Sequence, residues 1–268
     1  MKSVNSLRSG IYEDDSVTRQ VNRENVLLLG GGRALLMQLA HPKVALGVDE
    51  HSDFRTHPIR RLRRTIRMTM AIVFGDRETA LSAARAVNRA HADVRGSDYE
   101  ALDPDLLLWV HATLVDSALV TYETFVKRLP AGERESFYQE SKVIGRLLGI
   151  PADRFPPTLP DFASYVERMM SEGPVRVGTR ARELATQVLR PRLRLLPRPA
   201  MMPLEIVTAG LLPETLRTQY GLAWGPRRQL LFRAAVRTLP HMVALTPAVL
   251  RVWPRPGRAV SLGGLRTS

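Results

Sequence analysis

The sequence predicts an all-helical protein, and three observations support this fold class. Apolar residues recur three and four positions apart along most of the 268-residue chain, which is the spacing of one helical face. Glycine and proline stand mainly at the ends of these segments. No stretch alternates between apolar and polar residues as a half-buried strand would, so a sheet is not expected.

The helices are predicted in order from local start and stop signals. Good helix formers follow Gly32 and stop at His41-Pro42. Asp103-Pro104 is an N-cap followed by proline in the first turn, and glycine closes several other segments. The predicted helices cover residues 33–39, 59–74, 77–95, 104–126, 133–148, 161–170, 182–189, 213–220 and 226–239.

These helices are expected to form one domain over residues 23–250, between a polar lead-in (1–22) and a loose tail rich in proline, glycine and arginine (251–268). The hydrophobic share of 44% suffices for a sizeable core. No apolar run approaches the ~20 residues that cross a bilayer. Because the first residues contain no apolar signal segment, a cytoplasmic location is expected.

The net positive charge of the chain is located in its C-terminal third. From Arg176 onward there are sixteen arginines, no lysine and three glutamates, which account for the whole net charge of +13. Such a region could be a solvated face, or it could contact RNA or anionic lipid. We expect no specific nucleic-acid partner, and we expect a peripheral contact with an anionic membrane surface on the inner face.

Cofactor chemistry is limited by the absence of cysteine. Disulfides, thiolate nucleophiles, iron–sulfur clusters and covalently attached haem are all excluded. Histidine is therefore the obvious side chain for metal binding or proton transfer.

Two histidines lie within predicted helices. His91 shares a helical face with Val87 and Val94, and His111 shares one with Leu107 and Leu114, so both are expected to point inward. Either could also be a core histidine that hydrogen-bonds to a backbone carbonyl or to a nearby carboxylate.

A cationic group lies on the helix that precedes His91. Arg61, Arg64 and Thr65 are three and four residues apart and so share one helical surface. Guanidinium and hydroxyl groups near an inward imidazole could hold carboxylates and donate hydrogen bonds to a bound ligand. The competing interpretation is a solvated cationic face.

Other sites are less well supported. Gly30 and Gly32 are followed by Leu35 where a dinucleotide-binding loop has its third glycine. No pair of Glu-x-x-His segments suggests a di-iron centre. A carboxylate–histidine metal site of His111 with Asp116 or Glu123 remains conceivable.

Several short motifs together resemble one protein family. They are Arg61-x-x-Arg64-Thr65, His91-Ala92-x-Val94-Arg95, Leu28-Leu29-Gly30-Gly31-Gly32-Arg33-Ala34-Leu35-Leu36, Leu39-Ala40-His41-Pro42, His51-Ser52-Asp53-Phe54 and Trp109-Val110-His111-Ala112-Thr113. The set is similar to motifs of the rubber oxygenases, also called latex clearing proteins, and of their MpaB-type relatives. The resemblance is close over residues 23–125 and loose elsewhere.

The resemblance implies a globin-like helical core around a non-covalent haem b. By motif, His91 is the proximal iron ligand and Arg61, Arg64 and Thr65 lie on the distal side. Arg61 and Arg95 are the expected partners of the haem carboxylates. The resemblance assigns no role to His111, which stays the alternative iron ligand.

One departure bears on the chemistry, because rubber oxygenases have lysine where this chain has Arg64. Arginine stays charged and is a poor ligand, so water, oxygen or nothing is expected in the sixth iron position. The function predicted from the sequence is a haem-dependent oxygenase that uses O2 on a small or medium apolar substrate. Polyisoprene is not the expected substrate, because the chain is shorter than the rubber-cleaving enzymes. The alternative is a non-catalytic helical module that docks on anionic lipid or RNA.

Overall fold

Helices form nearly all the regular structure of the chain. The computed structural model describes residues 10–51, 58–190 and 201–253, and for residues 58, 59 and 61 the backbone only. The α-helices are α1 (Val17–Asn22), α2 (Gly31–Leu39), α3 (Pro42–His51), α4 (Pro58–Phe74), α5 (Arg77–Ala92), α6 (Pro104–Phe125), α7 (Ala131–Leu147), α8 (Leu159–Ser171), α9 (Thr179–Leu189), α10 (Met202–Leu211), α11 (Glu214–Gln219), α12 (Pro226–Leu245) and α13 (Ala248–Arg251). The described ranges contain isolated bridges but no strand. The all-helical prediction is confirmed, whereas the globin-like arrangement stays a prediction.

Several helix ends follow the predicted local signals. The Asp103 carboxylate accepts a hydrogen bond from the Asp105 amide at 2.8 Å, with Pro104 in the first turn of α6. Gly149, just beyond α7, has φ +101°, a left-handed conformation that suits glycine. Local chemistry therefore fixes these boundaries.

Four helices, α1, α3, α10 and α13, were not predicted, and the causes of the first two are clear. Residues 17–22, expected to be part of a polar lead-in, form α1 because the Glu140 carboxylate on α7 accepts the amide of Thr18 at 2.7 Å and Val21 is buried. Pro42, interpreted only as the end of the preceding helix, also begins α3. Proline fits a first helical turn because its missing N–H has no partner there in any helix.

The core is built around α6, which is buried on several sides and contains the fully buried Trp109. Helix α2 packs across it with Leu36 and Met37. A Cβ on Gly32 would lie 2.5 Å from Thr208 Oγ1. Gly32 in the first turn of α2 thus allows close helix packing, in agreement with the rejection of a dinucleotide loop.

The C-terminal part wraps over this core. Helix α12 continues to Leu245 instead of ending at Leu239, with Pro240 inside it. Its inner face packs Phe232, Val236 and Leu239 against α6 and α10.

Beyond α12 the chain returns to its beginning, forming a clasp between residues 23–25 and 250–253. The Trp253 amide donates to the Arg23 carbonyl at 3.0 Å, and Arg251 pairs with the buried Glu24 at 3.1 Å. Within the described ranges, none of the helices combines the length and apolar character that a membrane span requires.

Candidate functional site

Helices α4 and α5 form an antiparallel pair joined by Gly75 and Asp76. The Asp76 carboxylate caps α5 by accepting the Thr79 amide at 2.8 Å, and this hydrogen bond lowers the pKa of Asp76. Because the connection is so short, residues equally distant from it lie side by side along the pair. His91 is therefore level with the start of α4, and Arg64 is level with Val87, one turn away.

The two helices pack together near their connection. Ile72 contacts the small side chains of Ala83 and Ala84, with Leu147 and Leu148 of α7 and its end packed against them. Farther from the connection, residues 62–65 of α4 are exposed, including Leu62 at 45%. The end of the pair that carries His91 is thus its open end.

His91 is half-buried at this open end. Its Nδ1 lies 2.8 Å from the Val87 carbonyl oxygen, one turn earlier in α5. Because a carbonyl can only accept, Nδ1 carries a proton, so in the neutral imidazole the lone pair is on Nε2. Nε2 has no hydrogen-bond partner among the described residues. The ring is oriented as in a metal-ligating histidine, although it is less deeply buried than the sequence predicted.

The other residues predicted on the distal side and at the haem carboxylates are less fixed. Arg64 and Thr65 are exposed on α4, and Arg95 is exposed just after α5. The side chain of Arg61 lies outside the described residues. Arg95 also receives a hydrogen bond at its carbonyl from His51 Nε2 at 3.2 Å. The side chains of Arg64, Thr65 and Arg95 are therefore accessible at the same end of one helix pair.

His111 has a different environment, in the core on α6. It is 7% exposed, and burial lowers its pKa to about 4, so the imidazole is neutral at neutral pH. Its ring meets the edge of Phe155 with 5.9 Å between centroids, and its buried Nε2 has no hydrogen-bond partner. The prediction that His111 points inward is confirmed.

The carboxylates considered as partners of His111 are engaged elsewhere. Asp116 pairs with Arg33 at 2.6 Å, and Glu123 accepts the Leu129 amide at 3.2 Å and pairs with Arg134 at 3.5 Å. The structure therefore does not support the carboxylate–histidine site considered for His111, because both carboxylates are paired with cationic or amide donors. No group of three or more histidine, aspartate or glutamate side chains converges within the described ranges.

Arg33 is an important residue that sequence reasoning missed. It is 4% exposed, and its guanidinium donates to the Leu211 carbonyl at 2.8 Å, to Ser117 at 2.7 Å and to Asp116 at 2.6 Å. Three donor directions are thus satisfied by two distant segments. The only signal was an arginine directly after three glycines, where helices can approach closely.

A second accessible space lies apart from the α4–α5 pair. A cavity of about 270 Å³ opens between the beginnings of α3 and α9, with Leu39 and Leu46 in its apolar wall and Lys43 and Arg180 at its edge. No histidine lines it. No sequence motif indicates this cavity.

Comparison with known protein families identifies the class of this helical protein as an oxygenase catalytic domain. The matching family is described as "ER-bound oxygenase mpaB/B'/Rubber oxygenase, catalytic domain", and the match covers residues 18–241. The chain belongs to this family.

Two curated relatives are similar over nearly the whole domain. Uncharacterized proteins of Mycobacterium tuberculosis and Mycobacterium bovis are each 28% identical to this chain over 246 residues, covering 84% of this chain and 94% of the relative. No solved structure matches the chain.

Proposed function

We propose that the protein is a haem b-dependent oxygenase that uses O2 on a small or medium apolar substrate. The family, an oxygenase catalytic domain, supports an enzyme rather than a non-catalytic module. The observation that carries the haem assignment is His91, whose Nδ1 is held at 2.8 Å from a carbonyl while Nε2 is left without a partner. This arrangement suits an axial ligand to iron.

The residues present fit a haem that is bound without covalent attachment. The chain has no cysteine for a thioether link. The exposed Arg95 at the open end is a cation that can pair with a haem carboxylate. Arg61 is proposed as a further partner on the basis of the family motif. When bound, the haem would supply the oxygen chemistry, and the protein would supply ligand, polarity and access.

Two side chains on α4 are proposed to act on the distal side. The Thr65 hydroxyl is a donor that can rotate toward a bound ligand. Arg64 keeps its proton at any accessible pH and can donate hydrogen bonds without ligating iron. Both are exposed and lie about one to one and a half turns from the level of His91, so ligand binding would not require displacement of a buried contact.

An apolar substrate is favoured by a leucine that is exposed beside the site residues. Leu62 neighbours Arg61 on α4 and is 45% exposed. An apolar side chain at such a position can contact an apolar ligand.

The decisive experiment is a pyridine haemochrome assay and visible spectrum of the wild type, His91→Ala and His111→Ala after reconstitution with haemin. We expect a stoichiometric amount of haem in the wild type and in His111→Ala, and its loss in His91→Ala. Added imidazole should restore the Soret band of His91→Ala because it replaces the missing ligand. His241→Ala, altered on the exposed face of α12, is the control.

Two results would contradict the assignment. If haem is lost in His111→Ala but kept in His91→Ala, the iron ligand is the buried His111 and not His91. A wild-type protein that takes up no haem would remove the cofactor from the proposal altogether.

A further inference from the structure

We infer that the outer face of α12, together with α13, binds the surface of an anionic lipid bilayer. This inference goes beyond the proposed oxygenase function. It rests on an exposed apolar corner, on the arginines beside it, and on the way the corner is held in place.

The apolar corner is formed by the end of α12 and by α13. Leu245 and Val249 are each 84% exposed, Leu250 is 67% exposed and Met242 is 60% exposed. Single exposed leucines are common on soluble proteins, but four large apolar side chains within nine residues form a patch that indicates an interaction site.

The corner is held in a defined position by polar contacts. Leu250 accepts a hydrogen bond from the Asn25 side chain, and Arg251 pairs with the buried Glu24 at 3.1 Å. These contacts fix the backbone of α13 while its apolar side chains face outward. The exposure of Val249 and Leu250 therefore follows from specific anchoring.

The surface around the corner is cationic. Residues 226–253 contain five arginines and no aspartate or glutamate. On α12, Arg233 and Arg237 are exposed, and no carboxylate among the described residues pairs with either. Exposed arginines that flank aliphatic side chains suit a membrane interface, where the cations meet anionic headgroups and the apolar groups enter the acyl boundary.

The same features disfavour other occupants. A second copy docking through this face would bring arginines against arginines. Single-stranded RNA is bound by stacking of bases on aromatic side chains, whereas the exposed corner consists of Met242, Leu245, Val249 and Leu250. The exposed aliphatic side chains would therefore contribute little to the binding of RNA.

The docking surface is separate from the candidate haem site. Helix α12 packs on the last part of α6, near Val120 and Phe125, whereas His111 lies nearer the start of α6. The α4–α5 pair contacts α1 and α7. Membrane binding and haem binding can therefore be lost independently, which allows each proposal to fail alone.

The test is flotation of the full-length, haem-reconstituted protein with vesicles of phosphatidylcholine alone or of an equimolar mixture with phosphatidylglycerol. We expect binding to the anionic vesicles only, weakened by salt. Arg233→Gln with Arg237→Gln should weaken binding on the order of thirtyfold, at about fivefold per arginine. The matched control, Arg146→Gln with Arg168→Gln, removes two exposed arginines from α7 and α8 and should bind like the wild type.

The apolar contribution is tested by Leu245→Gln, which should weaken binding on the order of tenfold. Its control is Leu102→Gln, at a leucine that is 39% exposed before α6. All variants should retain the far-UV circular dichroism spectrum of the wild type, which reports that they are folded.

Four outcomes would overturn the inference. The first is no binding to anionic vesicles. The second is equal loss of binding in the controls, and the third is loss only when residues 254–268 are deleted. The fourth is a wild-type dimer, by light scattering, that Leu245→Gln converts to a monomer, because a second copy would then cover the corner.

Discussion

Burial of the neutral His111 imidazole should make the stability of the protein depend on pH. The ordinary pKa of 6.5 falls to about 4 in the folded state because burial disfavours the charged form. Between these values the unfolded chain binds a proton that the folded chain does not, so the free energy of unfolding decreases as the pH falls through this range. At about 1.36 kcal/mol per unit, the full loss is about 3 kcal/mol.

The perturbation is His111→Leu, which removes the titrating group and its unpartnered Nε2 at similar volume. At about pH 7.5 the variant should be as stable as the wild type or more so, because an unsatisfied buried polar atom costs about 1–3 kcal/mol. At about pH 4.5 its advantage should have grown by about 2.5 kcal/mol, since only the wild type must exclude a proton from a site that favours the neutral form.

The assay is urea unfolding followed by circular dichroism, on haem-free protein at both pH values. Phe155→Leu is the control, because it disturbs the same contact without removing the titrating group, so its difference from wild type should be similar at both pH values. A constant difference between His111→Leu and wild type would refute the argument, and would mean that a proton can reach His111 in the folded state.

Four other substitutions test the packing and ion pairs of the core, each by urea unfolding. Arg33→Met should lower the free energy of unfolding by about 3–5 kcal/mol, because it leaves a buried hydrogen-bond network without its donor; a cost near zero would contradict the role of the guanidinium. Gly32→Ala should destabilise by about 1–3 kcal/mol through its approach to Thr208, whereas Gly31→Ala, with nothing within 4 Å of its Cβ, should stabilise by about 0.5–1 kcal/mol. If both glycine substitutions changed the free energy of unfolding in the same direction, helix propensity and not the contact with Thr208 would determine the effect. Glu205→Gln should cost about 2 kcal/mol, since it weakens two charged hydrogen bonds, to Arg190 at 3.1 Å and to Arg228 at 2.9 Å, and the loss should shrink at high salt.

Local signals predicted most helices well. The beginning of α6 follows from Asp103-Pro104, and the connection between α4 and α5 follows from Gly75-Asp76, because caps and turns depend on neighbouring residues alone. By contrast, Pro42 can end one helix or begin another, and the sequence offered no way to decide. Helix α12 continues past the predicted stop at Leu239 to Leu245, although the packing of its inner face ends at Leu239.

The site could be predicted only as a set of residues. The spacing of Arg64 and Thr65 on one helix and the position of His91 on the next place them at the same end of an antiparallel pair, once the short connection is known. The tether from His91 to Val87 is also local, four residues apart. Arg33 and Asp116, which pair with each other, are 83 residues apart in sequence. Nothing in the sequence alone links them. Asp116 was therefore considered as a metal ligand, whereas it forms a structural ion pair with Arg33.

The clasp between residues 23–25 and 250–253 determines where a truncated fragment of this protein can safely end. Removing Arg251 would leave the carboxylate of Glu24, which is 1% exposed, without its most buried cation. A fragment that stops at residue 250 should thus lose stability even though it contains every helix that carries the candidate site. Extending it to Trp253 keeps both ends joined, so probes attached near the two ends would remain close as long as the domain is folded.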